Sequence, residues 1–212
     1  MKAREKLVVF GAGGHAKVVI DAIERQGSYE IAGLLDDDIR RKGGLFFGYP
    51  ILGTRADLPA LRAADLRLAI VAIGDNAGRA AVAALLAQQG WRFATVVHPG
   101  ACLGRGVEIA PGCMIMAGCV VNADARLGAH AIVNTGATID HDCRIAENVH
   151  IAPGCHLCGG VNVGQGSLLG AGTTVGPGIK IGSKVIVGTG SAVIRDVADD
   201  AKVYGVPARP LD

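Results

Sequence analysis

The sequence predicts an α/β, Rossmann-like domain of β-α-β units over residues 1–98, followed by a parallel β-helix over residues 99–212 that ends in a short tail. Two periodicities predict it. Through the first part apolar runs alternate with helical patterns, and from Ala101 onward aliphatic residues recur every six positions. Composition agrees with the second reading. Half the residues are apolar but only 4% are aromatic, and 32 are glycine, so the core must be built from small and β-branched side chains.

In the first part the runs are Leu7 to Phe10, Val18 to Glu24, Ile31 to Leu35, Leu68 to Ile73, Ala80 to Gln89 and Phe93 to Val97. Strands alternating with helices imply a parallel sheet, and ligands of such sheets sit beyond the carboxyl ends of the strands. Residues just after Phe10, Leu35 and Ile73 therefore attract attention. His98, Pro99 and Gly100 continue a strand or helix poorly and mark the boundary. Beyond it the aliphatic series runs Leu103, Ile109, Ile115, Val121, and so on every sixth residue to Val193 without a break. Four places after each aliphatic residue sits a small or β-branched one, such as Cys113, Ala125, Cys143, Ser167 or Thr173. A period of six marks stacked coils, each of which buries a face that it cannot bury alone. Glycine often follows the aliphatic residue directly, as at Gly104, Gly128 and Gly164, where a sharp bend is expected.

A formal charge of +2, with acids and bases interspersed, gives neither the basic stripe of a nucleic-acid binder nor a membrane-binding face. No apolar run is long enough for a membrane span, and the start lacks a signal peptide's apolar core, so a cytoplasmic protein with a small-molecule partner is expected. Six cysteines in a reducing compartment are read as free thiols, and Cys113, Cys119, Cys143 and Cys155 fall in the small inward slot.

Gly11-x-Gly13-x-x-Ala16 follows the first strand and opens a helix, the context that a phosphate-binding glycine turn requires. Asp36 lies at the end of the second strand, although the run Asp36 to Asp38 also suits a solvated turn. Lys17 and Arg79 fit phosphate contacts or surface charges equally well. In the second part His141 occupies the third place of its hexad, at a corner where neighbouring side chains both face outward, within reach of Asp142. Such a carboxylate fixes the imidazole tautomer and raises its basicity. Three hexads make an eighteen-residue coil, so Gly159 stacks on His141 and Thr189 on Ala171. His150 is half a coil from His141, on another side; if both serve one site, different chains supply them.

These residues carry a resemblance. The second half resembles the hexapeptide-repeat acyltransferases, down to the closing Gly205-Val206-Pro207-Ala208-Arg209. Gly11 to Lys17, the Asp36-Asp37 pair, Ala72 to Asn76, Asn134 to Gly136 and His141 to Cys143 together resemble the nucleotide-aminosugar N-acetyltransferases within that family. The resemblance implies a left-handed β-helix, a homotrimer with sites at subunit interfaces, acetyl-CoA as co-substrate without a metal, and an amino group, that of C4, on a nucleotide-linked 4-amino-6-deoxy sugar such as GDP-perosamine as acceptor. It also implies roles. His141 is the general base, supported by Asp142. Gly13, Gly14, His15, Asp36, Asp37 and Gly74 hold the sugar nucleotide. Asn134 contacts the substrate or thioester, or else caps a corner. His150 of a neighbouring subunit, Gly159, Ala171 and Thr189 contact acetyl-CoA, and the Gly159 N–H receives the thioester oxygen.

Four rivals remain: O-acetylation of a sugar hydroxyl, a covalent route through Cys158, a zinc site drawn from His130, His141, His150 and His156, and a non-enzymatic sugar-nucleotide-binding scaffold.

Overall fold

The computed structural model describes residues 4–210 and divides into two compact units, Met1–Val97 and His98–Asp212. The first contains β1 (Glu5–Phe10), α1 (Gly14–Gln26), β2 (Tyr29–Leu35), β3 (Leu45–Phe46), β4 (Tyr49–Gly53), α2 (Leu58–Ala63), β5 (Leu68–Val71), α3 (Asn76–Gln88) and β6 (Arg92–Phe93). The sheet order is β3-β4-β2-β1-β5-β6, with β1 paired in parallel to both β2 and β5. Leu7, Val8, Val9 and Phe10 are all buried. An unbroken apolar run, rather than an alternating one, is what a strand covered on both faces needs. Helix α1 buries the stripe Ala16, Val19, Ile20 and Ile23 and stops at Gly27, whose φ of 68° lets its N–H bond the Ile23 carbonyl at 3.0 Å. The chain leaves β1 toward β2 on one side and returns to β5 on the other. That reversal opens a crevice at the carboxyl ends of β1 and β5.

In the second unit each hexad gives a two-residue strand and a corner, and strands pair in parallel with a register of one coil: Met114↔Ile132, Val120↔Thr138, Arg126↔Arg144. Three flat faces result. The aliphatic positions point inward and are buried from Ile115 to Val193, while Leu103 on the first coil is 42% exposed. The second inward slot is also closed, with Cys113, Cys119, Cys143, Cys155, Ser167, Thr173 and Ser191 nearly or fully buried. Its cysteines do more than fill space. Cys143 Sγ donates to the Cys158 carbonyl at 3.2 Å and Cys155 Sγ to the Gly170 carbonyl at 3.2 Å, so each thiol ties its coil to the next corner. Burial pushes the Cys119 thiol up to about 11 and raises Cys143 and Cys155, which keeps them protonated. All six cysteines are free.

The bend lies elsewhere than expected. Left-handed backbone occurs three places after the aliphatic residue, at Gly160 and Gly178 but also at Asp124, His130 and Asp142. The glycines directly after the aliphatic residue serve close packing instead. A Cβ on residue 164 would lie 2.5 Å from the Gly182 carbonyl carbon of the next coil, whereas one on residue 176 would meet nothing nearer than 3.6 Å. Gly164→Ala is therefore expected to cost about 1–3 kcal/mol, the scale of overpacking. Gly176→Ala should leave stability unchanged or slightly higher. Urea denaturation of the two variants checks the contrast. No helix among the described residues is long and apolar enough to cross a membrane.

Candidate active site

The crevice of the first unit is a cleft of about 330 Å³ that brings together Gly13, Gly14, His15, Asp36, Asp37 and Gly74. Three strand ends supply them. Gly13 caps α1 without a side-chain hydrogen bond, leaving the helix's positive end facing the cleft. A Cβ at Gly13 or Gly14 would meet nothing within 4 Å, so the space above the turn is open.

The two aspartates have occupations that the sequence did not disclose. Asp36 Oδ2 accepts from the Ala12 N–H at 2.9 Å and from Arg41 Nη1 at 3.1 Å, and Oδ1 from the Asp38 N–H at 3.0 Å. It clamps the glycine turn to the end of β2. Asp37 is held by Arg55, with Nη2 at 2.5 Å and Nε at 3.0 Å, and this pairing keeps its carboxyl below the usual range. Asp36 is largely enclosed by these bonds, whereas Asp37 stays exposed at its bend, so the solvated-turn alternative fits Asp37 and not Asp36. Asp36→Ala is expected to weaken ligand binding in this cleft by about tenfold, the scale of losing hydrogen bonds to a charged group; calorimetric titration of the variant beside the wild type checks it. Arg79, weighed as a surface charge, is fully buried.

On the second unit His141 and Asp142 follow the strand Thr138–Ile139 at the corner before Arg144–Ile145. The left-handed turn at Asp142, φ 59°, allows adjacent side chains to meet, and Asp142 Oδ2 lies 2.8 Å from His141 Nδ1. The contact places a proton on Nδ1 and leaves Nε2 as acceptor. Both side chains are largely exposed, at 61% and 67%. The Asp142 hydrogen bond, and then the charge of Asp140, raise the His141 pKa above its ordinary value.

Asp140 escaped the sequence reading. Its Oδ1 accepts the His141 N–H at 2.8 Å and the Asn122 side-chain N–H at 2.9 Å, which fix the carboxylate and keep its pKa low. The signal was present: Asn122 stands one coil before Asp140, the interval that pairs His141 with Gly159.

Gly159 packs directly against the ring. A Cβ there would stand 2.5 Å from His141 Cε1 and 2.6 Å from Nε2. The Gly160 N–H bonds the His141 carbonyl at 2.9 Å, fixing the stack, while the Gly159 N–H has no partner among the described residues.

The remaining candidates lie on another side. His150 opens a strand of a different face from the one that ends before His141. Asn134 Oδ1 accepts the Thr135 N–H at 2.9 Å, which orients the amide so that Nδ2 donates to His150 Nε2 at 3.1 Å. Asn134 therefore caps its corner and holds His150 at once. Ala171 and Thr189 stack at that same corner column, with the Gly190 N–H on the Ala171 carbonyl at 2.8 Å. Three of the four histidines of the zinc reading have separate partners: His141 meets Asp142, His150 meets Asn134 and His156 Nδ1 meets Thr138 Oγ1 at 2.9 Å. Among the described residues no three His, Cys, Asp or Glu side chains form a metal-holding group. Cys158 is exposed beside Gly159, and its carbonyl, rather than its thiol, is engaged, by Cys143.

The PglD N-terminal domain family matches residues 6–86, and the bacterial transferase hexapeptide family (six repeats) matches residues 142–177. No curated protein sequence matches. Among solved structures, PerB from Caulobacter crescentus, in complex with CoA and GDP-perosamine, is 39% identical over 99% of each chain with a TM-score of 0.94. The chain belongs to the hexapeptide-repeat nucleotide-aminosugar N-acetyltransferases. A variant of the Caulobacter perosamine N-acetyltransferase with asparagine in place of a histidine, also bound to CoA and GDP-perosamine, matches equally well, at 39% identity over 99% of this chain and 98% of that one, TM-score 0.94. The acetyltransferase domain of PglB from Neisseria gonorrhoeae, in complex with acetyl coenzyme A, is 36% identical over 99% of this chain and 100% of that one, TM-score 0.90. The second unit is the left-handed β-helix of this family, and the chain is an acetyl-CoA-dependent sugar N-acetyltransferase. O-acetylation and a non-enzymatic scaffold fall away with that membership.

Proposed function

We propose that the enzyme transfers acetyl from acetyl-CoA to the C4 amino group of a nucleotide-linked 4-amino-6-deoxy sugar, GDP-perosamine first among them, with His141 as general base. The observation that carries the reading is the corner where Asp142 orients the His141 ring and Gly159 packs against its free edge. The amine nitrogen attacks the thioester carbonyl while His141 Nε2 takes its proton. A C–N bond forms, the C–S bond breaks, and the proton passes from the imidazolium to the departing CoA thiolate. The Gly159 N–H, without a protein partner, receives the oxyanion between these steps. Direct attack leaves Cys158 without a covalent role.

Within one chain the His141 corner and the Asn134, His150, Ala171 and Thr189 group lie on different sides of the coil. A pantetheine arm contacting both groups must run between copies, and this division supports a homotrimer with its sites at subunit interfaces. The first unit's cleft takes the nucleotide and its diphosphate over the α1 N-terminus. The relatives' printed ligands, CoA with GDP-perosamine and acetyl coenzyme A, support the same pairing of substrates.

The test is a thiol-release screen of acetyl-CoA against GDP-, UDP- and dTDP-linked 4-amino-6-deoxy sugars. One nucleotide sugar should stand out, with GDP-perosamine expected. Absence of thiol release with every amino sugar would contradict the reading.

A further inference from the structure

Arg79 is a cation completely withdrawn from solvent. It stands in the first turn of α3, where the helix dipole disfavours positive charge, and a buried guanidinium is costly unless its protons are directed to acceptors. The acceptors are close together. Nη1 donates to the Ile73 carbonyl at 3.1 Å and the Gly74 carbonyl at 3.2 Å, and Nη2 to Asn76 Oδ1 at 2.7 Å. Ile73 and Gly74 belong to the stretch that links β5 to α3 and line the cleft, and Asn76 opens α3. Asp75 pins the same stretch by accepting the Gly78 N–H at 2.6 Å.

We infer that Arg79 is a positioning residue for nucleotide binding: from below, it draws the carbonyls of Ile73 and Gly74 into the protein. Bonded to the guanidinium, those oxygens are not turned against a bound diphosphate. Turned inward, they leave the Gly74 backbone, which has no side chain, lining the cleft together with Gly13 and Gly14. Lysine cannot substitute, because one ammonium lacks the planar fork that spans three acceptors. The inference rests on reading the cleft as the nucleotide site.

The test is calorimetric titration of the full chain with GDP and with UDP, for the wild type, Arg79→Lys and Asn76→Ala. Whichever nucleotide the wild type binds, Arg79→Lys should bind it about tenfold or more weakly, the scale of losing charge-assisted hydrogen bonds. At saturating nucleotide sugar, kcat and the KM for acetyl-CoA should stay at wild-type values, a split that general loss of structure would not produce. Asn76→Ala, which spares the two carbonyl contacts, should show a smaller loss of affinity. A folded Arg79→Lys protein with wild-type affinity would overturn the role of Arg79 while leaving the cleft's assignment intact. A wild type that binds neither nucleotide would overturn the assignment, and this inference with it. Should Arg79→Lys fail to fold, Arg79→Gln, whose single amide cannot span both carbonyls and Asn76, decides: weaker nucleotide binding at unchanged kcat supports the role, and wild-type affinity overturns it.

Discussion

His141→Ala is expected to lower kcat for acetyl transfer by about 10² or more, the scale of removing a general base, with little change in either KM. The reason lies in the geometry. Asp142 engages Nδ1, so Nε2 is the ring's acceptor, and a proton acceptor on the reacting nitrogen acts in the transition state rather than in ground-state binding. The ring is well exposed and makes no core contact, so the fold should be indifferent to its loss. Steady-state thiol release with circular dichroism on the same preparations separates the two quantities. Unchanged kcat would remove His141 from the chemistry and leave water or the substrate itself as proton acceptor.

Gly159→Ala is expected to damage turnover on a similar scale, about 10², without touching the base itself. The added methyl would occupy space now held by His141 Cε1 and Nε2. The ring can yield only by swinging away, which breaks its alignment with Asp142 and crowds the Gly159 N–H proposed to receive the oxyanion. Backbone strain does not contribute, because the left-handed residue here is Gly160 and not Gly159. The melting temperature should therefore stay near the wild-type value while kcat falls. A variant with wild-type kcat would show that neither the ring's position nor this amide matters.

Much of this architecture was legible because a β-helix repeats one physical demand. Every sixth side chain must point inward, and a single break would expose a coil's core, so the register from Leu103 to Val193 reads directly. The same repetition made Gly159 findable from His141. What escaped depends on contacts between residues that no periodicity links. The β3-β4 hairpin and α2 lie in the stretch after Asp38, where short strands and a six-residue helix leave no pattern to count. Arg55 reaches Asp37 across that stretch, and no local signal announces the pair. Arg79 fits a phosphate contact or a surface charge equally well in sequence, because its acceptors are mostly backbone carbonyls that leave no side-chain signal. The positive-φ corner was misplaced by two residues for a different reason. Glycine is required both where φ is positive and where coils approach closely, and composition alone cannot separate the two demands. Asp140 is hidden in sequence because its bonds run to the His141 backbone and to Asn122 one coil away, neither of which a local pattern announces.

The pH dependence of kcat/KM for the wild type and Asp142→Asn tests most directly whether His141 is the base that Asp142 tunes. Asp142 is the largest cause holding the His141 pKa above 6.5, with Asp140 second. Activity should rise with pH as the imidazole loses its proton, along an acidic limb set by that raised value. Removing the Asp142 charge should lower the His141 pKa and move the limb to lower pH, whereas the substrate amine's own titration is unaffected by the substitution. An acidic limb that stays in place in Asp142→Asn would contradict the account.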